Sequence, residues 1–469
     1  MAQILNHIKG LSDSKWSGIA GSVAECVGLD IHTNPGLTTV QQKLTKNSGT
    51  TVDALCLVRL SASNGYTFWF SSTSGKIFAR ASAGTWSLAY TTVPAAGTAG
   101  CSGAEEYDGF IYWATQSRLH RVTIAGADDS WAAGAVSLNW ATFAVTDADY
   151  HPMAIQDLTL FIGDKNQIAS VNSAATFDNN VLDIKTPFRI KTMIPYEWDL
   201  LIGTFVANTV NRTEIIRWDT VSPSWNTSDP IEEVGINAFI RDDNYVYVNA
   251  GRAGNLYFYN GEQLVPFKRI PGTYSDTQYG TVHPQAVGNY KGVPIFGFSN
   301  GAGNPAKQGV YSFGSYSRDY PKVMDLSWVI SQNVTASIEI GAILVSDFEL
   351  LVAWKDGANF GVDKIDYTAK YASAYFETMM LFQEDRVQGK TIAGVVVPYN
   401  SLPANTGVTI SYSVNGAAYE AMTDVDNSIL QLLEAKLSVG DIGSLQIKVS
   451  FDVSGNTAPA IEGLDVIME

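Results

Sequence analysis

Seven short apolar runs rich in aromatic residues recur along most of this chain, at Tyr66 to Phe70, Phe110 to Trp113, Leu158 to Ile162, Leu200 to Phe205, Tyr245 to Val248, Val293 to Phe298 and Phe348 to Ala353. They stand roughly 40 to 56 residues apart, the interval at which four-stranded sheets repeat in propellers. Runs this short, separated by Gly, Asn, Asp and Ser, leave little room for helices, because a buried helix needs apolar residues three and four apart over ten or more positions. Composition agrees: 41 Gly, 22 Tyr, 20 Phe and 11 Trp against only 16% charged residues describe many aromatic strands joined by tight turns.

Strand order can be followed inside a group. The first reads Ala54 to Leu60, the turn Asn64-Gly65, Tyr66 to Phe70, the turn Thr73-Ser74-Gly75, Lys76 to Ala81, then Thr85 to Tyr90. Asn-Gly between alternating apolar runs is a strong hairpin signal, and Asn260-Gly261 repeats it in the fifth group. His151-Pro152 and His283-Pro284 each precede the opening strand of a group, as if one architectural position were used twice.

Beyond the seventh group the pattern changes. Val408 to Val414 alternates apolar and small polar residues, ends at Asn415-Gly416, and is answered by Leu445 to Phe451, the signature of sheets with one buried and one wet face. Ile429 to Leu437 has helical spacing and is predicted to be the one substantial helix. The expected fold is therefore all-β: a propeller of about seven blades over 51–375, then an antiparallel β-sandwich domain over 376–469, with 1–50 as an extended N-terminal arm. That arm, turn-rich between Gly28 and Gly36, is a candidate for a strand that closes the ring or for a docking element.

The formal charge of −16 should repel phosphate, so specific nucleic-acid binding is not expected. Cys26, Cys56 and Cys101 have no paired spacing, which argues against a disulfide scaffold or a zinc site and for folding in a reducing cytoplasm. No apolar segment of signal-peptide or membrane-spanning length is read, so neither secretion nor membrane insertion is expected.

Catalytic chemistry finds no pattern to rest on. His7, His32, His120, His151 and His283 never fall within metal-ligand spacing, and Asp147-Ala148-Asp149 and Asp424-Val425-Asp426-Asn427 lack the Gly and Glu that complete a calcium loop. Gly251-Arg252-Ala253-Gly254 and Gly301 to Gly303 sit between strands, where glycine serves turns. A sialidase-like reading has only Ser82 to Trp86, an aspartate-box turn without its aspartate, and Phe188-Arg189-Ile190, followed by Lys191 where such enzymes carry proline. The chain is predicted not to be an enzyme, with no catalytic, cofactor-binding or metal-binding residue and no cofactor.

Four stretches carry a resemblance: Gly28 to Leu44 (GLDIHTNPGLTTVQQKL), Ser71 to Thr91 (SSTSGKIFARASAGTWSLAYT), Gly309 to Val323 (GVYSFGSYSRDYPKV), and Phe376 to Glu420, which runs from FETMMLFQEDRVQGK through VTISYSVNGAAYE. With these the chain resembles the β-propeller virion structural proteins of tailed bacteriophages, of the tail hub or nozzle type in short-tailed phages. The resemblance implies a virion protein made in the host cytoplasm, in the tail sooner than the head. It also implies a homo-oligomer, hexameric if it rings the tail axis, with portal, adaptor or tail proteins as partners and an acidic lumen suited to DNA passage. A fibre, spike or capsid appendage for host attachment is the alternative within the class, and a glycan-active propeller enzyme is the alternative outside it.

Overall fold

A computed structural model describes residues 2–5, 8–16, 21–34, 36–47, 54–61, 65–81, 84–91, 100–207, 210–242, 245–275, 279–300, 307–314, 322–332, 338–346, 349–382, 392–399, 401–427, 432–436 and 443–468. Helix among these is limited to two single turns, Ile124–Gly126 and Ala133–Ala135. None is long and apolar enough to cross a membrane.

Between 54 and 370 the chain forms antiparallel meanders in succession, of four strands each over 54–91, 103–142, 153–183, 188–231, 236–269 and 280–328, and of three over 338–370. Each aromatic run overlaps the second strand of its meander, from Thr67–Ser71 in the first to Glu349–Asp356 in the last, with Tyr66 and Leu158 just ahead of their strands and Phe348 outside the described residues. Phe68, Trp69 and Phe70 are all fully buried. Three consecutive buried aromatics require a strand covered on both faces, which a sheet packed between two neighbours provides. The first strands adjoin one another in chain order, and Ile338–Ser346, which opens the last sheet, lies against Ala54–Arg59, which opens the first. That cyclic order makes the body a β-propeller.

Outer strands have the opposite character. Phe177–Asp183 is mostly exposed, and Thr227–Ile231 and Leu264–Arg269 carry Pro230 and Pro266 at the sheet edge. Proline there removes a ladder donor and discourages pairing with another chain. Hairpin turns follow the expected chemistry: Asn415 and Gly416 both take positive φ (52° and 77°), and Ala417 N–H donates to the Val414 carbonyl at 3.0 Å.

The last sheet has only three strands of its own, Ile338–Ser346, Glu349–Asp356 and Asn359–Lys370. Its fourth is Gln42–Lys46, contributed by the N-terminal segment and pairing antiparallel with Asn359–Lys370. Arg80, from the first sheet, reaches this seam: Nη1 donates to Asn47 Oδ1 at 3.0 Å and Nη2 to Glu349 Oε2 in the last sheet. Around it Leu57, Trp69, Phe78 and Trp86 pack against Leu351, Ala353 and Val362.

The N-terminal segment also enters the C-terminal region. Ala2–Leu5 pairs with Leu464–Met468 at the edge of a five-stranded sheet that continues through Ile392–Pro398, Leu432–Lys436 and Thr423–Asn427. Val23–Val27 runs parallel to Val323–Trp328 on one side and antiparallel to Tyr375–Thr378 on the other. It thereby joins the 280–328 meander to Tyr375–Thr378, Ser444–Asp452, Gly407–Val414 and Glu420–Ala421 in one ten-stranded sheet. Val395, Val397 and Val466 of the five-stranded sheet share a buried cluster with Ile410, Ile447 and Val449 of the ten-stranded one.

The helix expected at Ile429 to Leu437 is a correction. Leu432–Lys436 is a strand, hydrogen-bonded between Ile392–Pro398 and Thr423–Asn427, and the remainder of that stretch lies outside the described residues. A short apolar run is ambiguous between the two periodicities, and two available neighbouring strands decide it.

Candidate functional site

The first strands of the meanders line the ring axis, and irregularities in them shape a cavity at one end. In Phe188–Tyr196, Ile190 pairs with Thr204 and Thr192 with Gly203, so Lys191 is an extra, unpaired residue. Asn237 is the extra residue of Ile236–Asp242, and Gly341 that of Ile338–Ser346. In Gly280–Tyr290 the register breaks between Val282 and Val287, a stretch that includes His283. A bulge turns a side chain away from the sheet faces that would otherwise bury it. Here it aims Lys191 and His283 into the channel mouth, a cavity of about 620 Å³ whose walls also include Tyr150, Thr281, Glu339 and Lys355. A second cavity of about 520 Å³ shares Tyr150, Lys191, Tyr279 and Thr281 and extends to Asn237 and Arg252.

The polar groups are tied together across three sheets. Lys191 Nζ donates to Asn237 Oδ1 at 2.8 Å, while Asn237 Nδ2 donates to the Gly251 carbonyl at 2.7 Å and to Asn249 Oδ1 at 3.0 Å. Asn249 Oδ1 also accepts from Val282 N–H at 3.1 Å. Both ends of the Asn237 amide are therefore committed, which fixes its oxygen toward Lys191. Burial, followed by the charge of Arg252, lowers the Lys191 ammonium to about 8. Burial, then Lys191, holds His283 at about 3, so its imidazole is neutral at physiological pH. Lys191 remains mostly cationic at pH 7, with the Tyr150 ring 5.5 Å from its nitrogen. The acids of this region are engaged elsewhere: Asp149 with Arg189 at 2.7 Å, Asp147 with Lys165 at 2.6 Å, and Glu339 with Lys355 at 3.9 Å.

At the other end of the axis, Glu105 lines a cavity of about 650 Å³ with Arg59, Gln285 and Ser346. Burial, with Glu106 adding like charge, raises its carboxyl to about 7.

The residues weighed in the sequence disperse. His32 Nε2 lies 2.8 Å from Asp325 Oδ1, and His120 stacks on Trp113 with its Nδ1 accepting from Asn139 N–H at 3.0 Å. His151 is fully buried against Phe143, its Nδ1 2.7 Å from the Gly163 carbonyl. The two His-Pro doublets thus diverge: His151 sits packed inside the structure and His283 faces the channel. His7, Gly301 to Gly303, Ser82 and Ala83 lie outside the described residues. Among the described residues no group of three or more His, Cys, Asp or Glu could hold a metal, and Cys26, Cys56 and Cys101 are free and buried. Arg189 forms its ion pair with Asp149, and Trp86 packs edge-on against Trp69 in the first sheet.

Sequence reasoning met Lys191 only as a departure from the sialidase pattern and Arg252 only within a glycine turn, and passed over Asn237. A weak signal existed for Lys191 and Asn237, since each is a polar residue that follows an isoleucine in an inner strand, FRIKTMIPY and INAFIRD.

The sequence matches no established protein family and no curated protein. Among solved structures it is similar to the extracellular domain of BT4673 from B. thetaiotaomicron, at 13% identity and TM-score 0.46 over 84% of this chain and 48% of that one. It is also similar to the Dos1 propeller (13% identity, TM-score 0.42, 69% and 94% of the two chains) and to streptogramin B lyase (10%, 0.45, 70% and 98%). The chain spans about half the length of the BT4673 domain it matches. At such identities the likeness concerns the fold alone.

Proposed function

We propose that this chain is a structural component of a bacteriophage virion, a tail part of the hub or nozzle type. In this reading it is a seven-bladed propeller closed by Gln42–Lys46 and fused to a C-terminal β-sandwich. The observation that carries the reading is the ten-stranded sheet that runs without interruption from the 280–328 meander into the C-terminal strands. Bodies joined by a linker move relative to one another by default. Here Val23–Val27 is inserted between them, Leu11 N–H donates to the Met324 carbonyl at 2.7 Å, and one apolar cluster spans both. A part that holds a ring rigidly to an anchoring body suits a place in an assembly.

Two turn tips add support. Leu158 and Trp198 are each 80% exposed on adjoining sheets, and Gln156 Nε2 donates to the Glu197 carbonyl at 3.3 Å between those turns. Large apolar side chains held out at neighbouring tips are suited to burial against a partner. The partners in this reading are portal, adaptor or tail proteins, with copies of the chain, six of them, arranged round the tail axis. Mass spectrometry and electron microscopy of virions made with and without this chain test the proposal. The expected result is its presence at fixed copy number in the tail, and failure of assembly or infection when it is missing. Particles that lack it in the wild type, or that assemble and infect normally without it, refute the proposal.

A further inference from the structure

We propose that the channel mouth is a binding site for a small oxyanion, the carboxylate or phosphate group of a ligand held between Lys191 and Arg252. The inference is independent of the virion role and stands or falls separately from it.

Lys191 reaches the cavity through a bulge, with a single hydrogen-bond partner, the neutral Asn237 oxygen. No carboxylate pairs with it among the described residues. Arg252 lines the adjoining cavity from the turn after Tyr245–Ala250, and its guanidinium has no side-chain partner among them. Each cation could have been neutralised cheaply by an acid, since the chain has 46 of them. Instead Asp149 and Asp147 pair with Arg189 and Lys165, and Glu233, which lies against Gly251, accepts from Asn255 and Tyr257. Two neighbouring positive groups left without a counter-charge in half-open, partly desolvated cavities raise the energy of the empty site, because charge withdrawn from water is normally offset by an opposite charge.

An oxyanion supplies that counter-charge. A guanidinium offers a planar fork and an ammonium a point charge, the pair of donors that carboxylate and phosphate oxygens accept best. Tyr150 and Thr281, which line both cavities, carry hydroxyls that can serve as further donors. The combined space suits a metabolite-sized molecule and is too confined for a folded partner. The surrounding negative charge of the chain sharpens the selection, because only a ligand that reaches the two cations gains from them.

Isothermal titration calorimetry of the full chain with inorganic phosphate, and separately with succinate, tests the site. Saturable one-to-one binding of at least one anion is expected, weakened about tenfold or more by Lys191→Met and by Arg252→Gln. Lys76→Met, on an exposed strand position far along the sequence, should leave it unchanged. Binding of phosphate alone identifies a phosphoryl ligand, and of succinate alone a carboxylate. Arg252→Gln lies in a turn and keeps the test valid if the Lys191 variant does not fold. No binding of either anion at about 10 mM, or equal affinity in the wild type and Arg252→Gln, overturns the proposal.

Discussion

Replacing Glu349 by Gln should open the seam between the first and last sheets, and the size of the effect follows from what surrounds Arg80. The Arg80 side chain is 1% exposed and that of Glu349 is 26% exposed. Removing one partner of a fully buried ion pair costs about 3 to 5 kcal/mol, since a charge is left without compensation. Water can follow into the space at Glu349, and Asn47 Oδ1 still accepts one Arg80 hydrogen bond, so the cost falls below that range, to about 2 to 3 kcal/mol. The positive charge is the source of the cost. In an Arg80→Met background, where an apolar chain lies beside Trp86 and Trp69, Glu349→Gln should therefore cost less than about 0.5 kcal/mol. Urea denaturation of the four proteins of this cycle measures the coupling through the midpoint at constant m-value. A loss below about 1 kcal/mol, or an equal loss in both backgrounds, would falsify the view that Glu349 holds a buried Arg80 across the closure.

Four further outcomes are expected. Deleting 1–47 removes Gln42–Lys46, Val23–Val27 and the buried Leu44, Val40 and Leu29, so cooperative melting by circular dichroism should disappear; a truncated chain that melts within a few degrees of the parent contradicts this. Lys191→Met should stabilise the protein at pH 7. The fall from 10.5 to about 8 is worth roughly 3 kcal/mol, and loss of the Asn237 bond takes back about 1. The parent carries the full cost of the buried ammonium below pH 8 and sheds it as pH rises toward 10.5, so the difference should shrink across that window. Glu105→Gln has the opposite pH profile. A carboxyl raised from 4.5 to about 7 contributes stability below 4.5 that is lost as pH rises through 7, so the variant should match the parent at pH 4.5 and exceed it by roughly 3 kcal/mol at pH 8, read from urea midpoints. Finally, Leu158→Asp with Trp198→Asp should change stability by less than about 0.5 kcal/mol but lower incorporation into virions, measured by mass spectrometry of purified particles.

The local alphabet of this fold was legible. A triplet such as Phe68-Trp69-Phe70 belongs in a strand covered on both faces, and Asn415-Gly416 belongs in a turn whose φ angles are both positive, whatever the rest of the chain does. The run at Leu432–Lys436 was not legible, since its spacing satisfies either periodicity and only its two partner strands select one.

The same division holds for the candidate site and for the chain as a whole. The order of residues by itself determined short two-sided strands, their four-by-four repetition and the excess of negative charge, because each depends on interactions within a few residues or on composition alone. Tertiary structure decided where strands slip by one residue, and therefore that Lys191, Asn237 and His283 meet at the ring axis while His151, with the same His-Pro signature, is packed away from it. It also decided that Arg80 meets Glu349 across 269 residues and that Gln42–Lys46 completes the last sheet. A bulge and a closure are properties of two strands at once. Their energies come from packing and hydrogen bonds between segments that no local pattern brings together.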